Sequence, residues 1–462
     1  MLQPWQDAVV TKIVQETPTT KRFFFALTSG HVFDFIPGQF VTFDLPIHEQ
    51  KNKRWRSYSI ASAPSNNNEF ELVIVLLEGG LGTTYLFNEV KVGTTLLMRG
   101  PQGVFVLPKA ITTDLYFICT GTGVAPFRSM LIDIHQKKIP HHSIHLLFGC
   151  RKYTDCLYGS EFKALEDAIV INGSIIPNTE LAAVILHLEE NSTLYLGEEM
   201  LAKKGTGTQR IQYTGSKPLQ FKNWWNLLSI NGDAIKNDFE LLKASTHSND
   251  LSSSNTVIGS SEQIIVDEGA RIEGCIFNTN DGPIYIGKGV EIMEGSCIRG
   301  PFAACENSVI KMASKIYGPT TIGPYSKVGG ELNNVIFQSY SNKAHDGFLG
   351  NYSIGEWCNL GADSNNSNLK NNYGLVSIFD YASKNTISTG LQFLGLCMGD
   401  HSKCGINTMF NTGTIIGVSC NVFDSGFFPK HIPSFSWGAP DNLVPYRMDK
   451  AVEHSNKMME RR

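Results

Sequence analysis

The chain has 462 residues, 42% of them apolar, enough to bury sizeable cores, and its length suggests about three domains. Its formal net charge is -4 and no stretch is strongly basic, which argues against a nucleic-acid partner. No apolar run reaches the ~18 residues of a membrane span, and the first residues, MLQPWQDAVV, lack the pattern of a signal peptide. Ten cysteines without a CxxC pair point to reduced thiols, a cytoplasmic location and no metal site.

Residues 1–108 read as an antiparallel β-barrel, with β-rich runs (RFFFAL, QFVTFDL, RSYSIAS, FELVIVLL) between Gly, Pro and Asn turns. Residues 109–167 change character. DLYFICTGTGVAPFRSMLIDIHQ is a buried strand, a glycine-rich turn and an amphipathic helix, and SIHLLFGC is a second strand. This is one βαβ unit, read as a partial α/β nucleotide-binding domain. Residues 168–245 read as a mixed α/β segment, and the Ser/Asn-rich stretch Thr246 to Ser261 as a linker.

From 255 to 440 the pattern is a six-residue period. Ile286, Ile292, Ile298, Ala304, Ile310, Ile316, Ile322 and Val328 are successive members. Val266 and Ile272 precede them, Ile354 and Leu360 restart the series, and Met398, Cys404, Phe410, Ile416 and Val422 continue it. A helix needs a period of 3.6 and a strand a period of 2. Six suits a parallel β-helix with three short strands per coil, each turning one aliphatic residue inward. Residues 441–462 form a C-terminal tail.

Five motifs occur in order: RSYS, GGLGTTYL, GPQGVF, GTGVAPFRS and FGCRKYTDCLYGSEF. Each alone is compatible with a surface arginine, a packed tyrosine or hairpin glycines. Together they make residues 5–166 resemble the ferredoxin–NADP reductase superfamily. The resemblance implies an FAD site. Arg56 is a fixed cation suited to the diphosphate, Tyr58 offers a face to the isoalloxazine, and Ser59 offers a hydroxyl near the flavin's redox nitrogen. Gly82 and Thr83 lie beside the diphosphate. Gly121, Thr122 and Gly123 form a strand-to-helix turn suited to NAD(P)H phosphates, and Gly149, Cys150 and Arg151 lie near that dinucleotide. The superfamily's CGxxxM-like final strand has no counterpart, so hydride transfer from NAD(P)H is expected to be slow or absent.

The stretch SNKAHDGFLGNYSIGEWCNLGADSNNSNLKNNYG makes residues 255–440 resemble the left-handed β-helix of the bifunctional N-acetylglucosamine-1-phosphate uridylyltransferase/glucosamine-1-phosphate acetyltransferase family. Residues 168–242 resemble the later part of its nucleotidyltransferase domain, without the LAAGxGTRM loop that uridylyl transfer requires. The resemblance implies a homotrimer, acetyl-CoA as acyl donor and an amino-sugar phosphate or sugar nucleotide as partner. His345 takes the place of the general base, and Lys343, Phe348 and Asn368 the place of substrate or acyl-CoA contacts. The asparagines from Asn365 to Asn372 suit either a ligand or an amide ladder between coils. A second function stays open: an FAD-dependent NAD(P)H oxidoreductase in which the β-helix is a trimerising scaffold.

Overall fold

The computed structural model describes residues 4–77, 79–149, 155–162, 169–205, 207–246, 248–381 and 383–461. The chain divides into two compact units, Met1–Lys217 and Pro218–Arg462.

The first unit opens with six antiparallel strands: β1 (Trp5–Thr17), β2 (Thr20–Leu27), β3 (Phe40–Asp44), β4 (Trp55–Ser59), β5 (Glu69–Val75) and, after helix α1 (Leu81–Asn88), β6 (Thr95–Gln102). Their order is β4-β3-β6-β1-β2-β5, and an Ile60–Leu72 bridge joins the two ends into a barrel. Alternation fills it. On β2, Phe23 and Phe25 are fully buried. Phe24 points the other way, with Lys12 and Arg22 each 5.4 Å from its ring.

Strands β7 (Leu115–Thr120) and β8 (Ile144–Gly149) are parallel and joined through helix α2 (Val124–Lys137). Helix α2 buries Val124, Ala125, Met130 and Ile134, and Phe127 stacks on Phe117 at 4.7 Å. Tyr116, Ile118 and Leu147, on the opposite sheet face, are exposed. Parallel sheets are normally covered on both faces. Further on, Gln209–Gln212, Ser192–Leu196, Glu199–Lys204 and Ile169–Ile171 form a four-stranded sheet around Leu181, Ile185, Leu194 and Leu201. Asn178 caps the helix Thr179–Leu186 by accepting from the Leu181 N–H at 2.8 Å.

The second unit is a parallel β-solenoid. Ile292 pairs with Ile310 and Ile310 with Val328, eighteen residues on each time, so three hexads make one coil. Every member of the series from Ile286 to Val328 is buried. Backbone hydrogen bonds run between coils, so each coil satisfies its neighbours. Corners require left-handed residues. At one corner Asn307, Tyr325, Tyr340, Trp357 and His401 have φ of 56, 57, 60, 58 and 58°. Such a conformation costs roughly 1–2 kcal/mol for a non-glycine residue. The rings offset it by stacking: Tyr325 on Tyr340 at 5.0 Å, Tyr340 on Trp357 at 4.2 Å, and Trp357 on His401 at 6.2 Å.

The series breaks after Val328, where the sequence shows it stop, because the strand Glu331–Phe337 runs through a corner, pairing with both Lys315–Tyr317 and Thr320–Ile322. Leu332, Phe337, Lys343 and Leu349 become the buried residues there. The stretch Thr246 to Ser261, expected as a linker, is part of the solenoid instead. Asn249 N–H donates to the Val266 carbonyl, and Thr256–Ile258 pairs with Ile276–Asn278, so it completes the first coil. Asn255 bridges the Ile272 carbonyl and the Cys275 N–H. The helix Asn226–Ser245 lies on the solenoid. A Cβ on Gly232 would come within 3.3 Å of Pro319, and Thr321 donates to Asn231 Oδ1 at 2.8 Å.

Replacing Ile316 by asparagine puts an unsatisfied amide into this core. We expect Ile316→Asn to lower unfolding stability by about 2–5 kcal/mol, measured by chemical denaturation of the full chain. An unchanged midpoint would contradict the assignment of Ile316 to the interior.

Candidate functional site

On the barrel, Arg56 and Tyr58 are two residues apart on β4 and share a face. Arg56 Nη1 donates to the carbonyls of Lys53 (3.0 Å) and Trp55 (2.7 Å). Its stem lies against Gly82 in the first turn of α1. A Cβ there would meet Arg56 Cγ at 2.8 Å, so only glycine lets the helix start this close to the guanidinium. Thr83 Oγ1 donates to the Gly80 carbonyl at 3.2 Å and accepts from the Leu77 N–H at 3.1 Å, which shapes the approach to the helix. Burial pushes the Tyr58 hydroxyl up to about 12, with the Arg56 charge opposing. Ser59 ends β4, opposite Phe40. Arg56 and Gly82 thus come together, a cation beside a helix N-terminus, with Thr83 next in the helix and the half-buried Tyr58 on the strand that carries Arg56.

Gly121, Thr122 and Gly123 make one turn between β7 and α2, with Gly121 at φ 50°. Gly149 pairs with Thr120, so it stands beside that turn at the carboxyl ends of both strands. Cys150 and Arg151 lie outside the described residues.

A buried cluster ties α2 to the barrel, using Arg128 of GTGVAPFRS and Tyr158 and Glu161 of FGCRKYTDCLYGSEF in roles that the motifs alone do not assign. The Glu71 carboxylate receives Arg22 Nε at 2.5 Å, Arg128 Nη1 at 3.2 Å and the Tyr158 hydroxyl at 2.9 Å. Arg128 also donates to the Ala61 carbonyl at 2.7 Å and to Glu161 at 2.8 Å, and lies 4.2 Å from the Tyr158 ring centroid. The signal available in the sequence was a charge, Arg128, inside the otherwise apolar opening of α2.

On the solenoid, His345 is exposed in an open groove of ≈ 460 Å³ whose walls include Lys311, Gly330, Ala344, Asp346 and Asp363, drawn from successive coils. Phe348 and Asn368 pack around Gly350 instead. Asn368 donates to Asn351 Oδ1 at 2.9 Å. Asn366 is buried and brackets Gly350, accepting from its N–H and donating to its carbonyl, both at 2.9 Å. These amides serve neighbouring coils. Lys343, expected at the substrate, is 1% exposed and occupies the inward position next to Val328. Its ammonium donates to the carbonyls of His345 and Asp346, which the aliphatic interior leaves as its acceptors. Among the described residues no cluster of His, Cys, Asp or Glu could hold a metal ion, and no helix is long and apolar enough to cross a membrane.

Comparison with known proteins places these features. Residues 7–107 match the family model of an oxidoreductase FAD-binding domain. Residues 131–247 match that of a sugar nucleotidyl transferase, a match that begins inside α2 and includes β8. Ferredoxin–NADP reductase B of Sorangium cellulosum is 37% identical over 149 residues, covering 32% of this chain and 59% of the relative. The anthranilate 1,2-dioxygenase electron transfer component of Acinetobacter baylyi is 37% identical over 130 residues, covering 28% of this chain and 36% of the relative. The chain therefore spans less than two thirds of these relatives. Among solved structures, the Amycolatopsis cytochrome P450 reductase GcoB is 25% identical with a TM-score of 0.31, over 35% of this chain and 48% of that one. The N-terminal module is an FAD-binding domain of the ferredoxin–NADP reductase type, joined in one chain to a parallel β-solenoid. The Arg56 guanidinium beside the N-terminus of α1 is a cation placed as a diphosphate would require.

Burial holds the Lys343 ammonium down at about 8, while the carboxylates of Asp346 and Asp363 favour its charge. Below pH 8 the folded and unfolded chains both carry the proton, and the cost of burying the charge is fully present. As pH rises to the ordinary lysine value of 10.5, the folded chain loses its proton first and the cost fades. The stability of Lys343→Met relative to wild type should therefore fall across this window, by on the order of 3 kcal/mol at most. Denaturation of both chains over a pH series measures it, and a pH-independent difference would contradict the buried charge.

Proposed function

We propose that the solenoid transfers an acyl group from acetyl-CoA to the amine of an amino-sugar phosphate or sugar nucleotide, in a chain whose N-terminal module holds FAD. The observation that carries this reading is His345, an imidazole exposed in a groove that also offers the Lys311 cation. His345 takes the proton from the amine as its nitrogen bonds to the thioester carbonyl carbon. The carbon–sulfur bond then breaks, and coenzyme A leaves as a thiol carrying that proton. A homotrimer is the assembly this reading implies.

On the flavin side, Arg56 pairs with the FAD diphosphate, Gly82 and Thr83 admit it at the α1 N-terminus, and Tyr58 and Ser59 face the ring. Bound FAD supplies electron transfer. Gly121, Thr122, Gly123 and Gly149 offer a turn for the phosphates of NAD(P)H, with Cys150 and Arg151 as further candidates. A second reading, an FAD-dependent NAD(P)H oxidoreductase with the solenoid as trimeric scaffold, is favoured by one finding: the curated relatives named above are electron-transfer proteins. NADPH oxidation on the order of 10 per second or faster would favour it.

Two variants test the residue roles. Arg56→Ala removes a charge-assisted contact worth about 1.5–3 kcal/mol, so FAD affinity should fall about ten-fold or more in a fluorescence titration. Unchanged affinity would remove Arg56 from the site. His345→Ala should slow thiol release from acetyl-CoA by about a hundred- to ten-thousand-fold, with a melting temperature close to wild type, since the side chain is exposed. Full activity in that variant would place the base elsewhere.

A further inference from the structure

Lys343 stands where the solenoid calls for an aliphatic residue. The inward column runs Ile272, Ile292, Ile310 and Val328, then Lys343 in register with Val328. An unpaired ammonium in such surroundings is strongly disfavoured. Its four-carbon stem follows the column, and its head reaches two carbonyls of the turn that follows it. It donates to the carbonyl of His345, and to that of Asp346 at 2.8 Å. That turn, residues 344–348, carries the imidazole facing the groove.

The rest of the turn is held from the coils on either side. The Asp363 N–H donates to the Asp346 carbonyl at 2.9 Å, and the Glu331 N–H to the Gly347 carbonyl at 3.2 Å. The Phe348 N–H donates to Asn365 Oδ1 at 2.7 Å. A Cβ on Gly330 would meet the Gly347 carbonyl oxygen at 2.8 Å, so the turn lies directly on the preceding coil. Lys343 grips it from the inside, and the Asp346 carbonyl is where the inner and outer holds converge.

We propose that Lys343 is a positioning residue: its buried ammonium clamps the His345 and Asp346 carbonyls and thereby fixes the turn that presents His345 to the groove. The catalytic consequence rests on the reading of His345 as general base; the clamp itself does not. Burial at a core position, the downward pull on the ammonium and its paired carbonyl acceptors all agree with it.

The test uses Lys343→Met in the full chain, because methionine fills the column and carries no charge or donor. Hydrogen exchange read by mass spectrometry is compared in peptides covering 344–348 and Asp363, with rungs around Ile298 and Ile310 as controls. The clamp predicts exchange at least ten-fold faster in the turn and at Asp363, unchanged rungs, and a melting temperature equal to or above wild type. In acyl transfer it predicts a ten-fold or larger drop in kcat at unchanged KM for acetyl-CoA. Unaltered turn exchange in a folded variant overturns the clamp, and unaltered kcat overturns its catalytic role. A wild type that transfers no acyl group overturns the reading of His345, while the exchange data still decide the clamp. Should the variant not fold, the wild type decides: an Asp363 amide that exchanges as slowly as the rungs supports the clamp, and one that exchanges like an open loop overturns it.

Discussion

A coil of the solenoid cannot satisfy its own backbone. Its N–H and C=O groups point along the axis and meet partners on the coils before and after it. This requirement fixes the rest of the second unit. Strands must stack in parallel and in register, each hexad must turn one residue inward, and corners must be sharp enough to accept φ near +60°. It also stacks side chains of equivalent position into columns. Inside, the columns are aliphatic and close the core. At one corner, Tyr325, Tyr340, Trp357 and His401 form an aromatic column whose stacking compensates for left-handed backbone.

The groove arises where that regularity is relaxed. The strand Glu331–Phe337 passes through a corner, the coil shortens, and the following coil places a charged residue in the interior. In that coil His345 is exposed, and the Lys343 ammonium reaches the His345 and Asp346 carbonyls. A break in local consistency of this kind is what a functional site would look like, and the proposed role of His345 falls on it. In the first unit a comparable role falls to Glu71. Its carboxylate gathers Arg22, Arg128 and Tyr158, so strand β5 and helix α2 are joined by charge and hydrogen bonds as well as by apolar packing.

What the sequence revealed follows from which interactions leave a periodic or ordered trace. Ile286 to Val328 could be read because each hexad repeats one requirement. The approach of Arg56 to Gly82 was foreshadowed by the order of two motifs on the flavin side. Leu332, Phe337 and Leu349 escaped the period because a corner was straightened, which no single residue announces. Lys343 escaped because its partners are backbone carbonyls, which have no sequence signature, and a lysine near a histidine reads as a surface or ligand contact. Thr246 to Ser261 looked like a linker by composition. Its hydroxyls and amides instead complete the first coil, where polar side chains such as Asn255 meet backbone groups that lack a preceding coil.

The proposed acyl transfer at the irregular coil, in a chain that also carries a flavin module, can be read in the product. The most direct measurement is the mass of the acceptor after the purified full chain is incubated with acetyl-CoA and glucosamine 1-phosphate, or with a panel of other amino-sugar phosphates and sugar nucleotides. An N-acetylated product is expected, formed in proportion to coenzyme A released. Unmodified acceptors across the panel, from a folded chain that loads FAD, would contradict it and leave the solenoid as a scaffold for the flavin module.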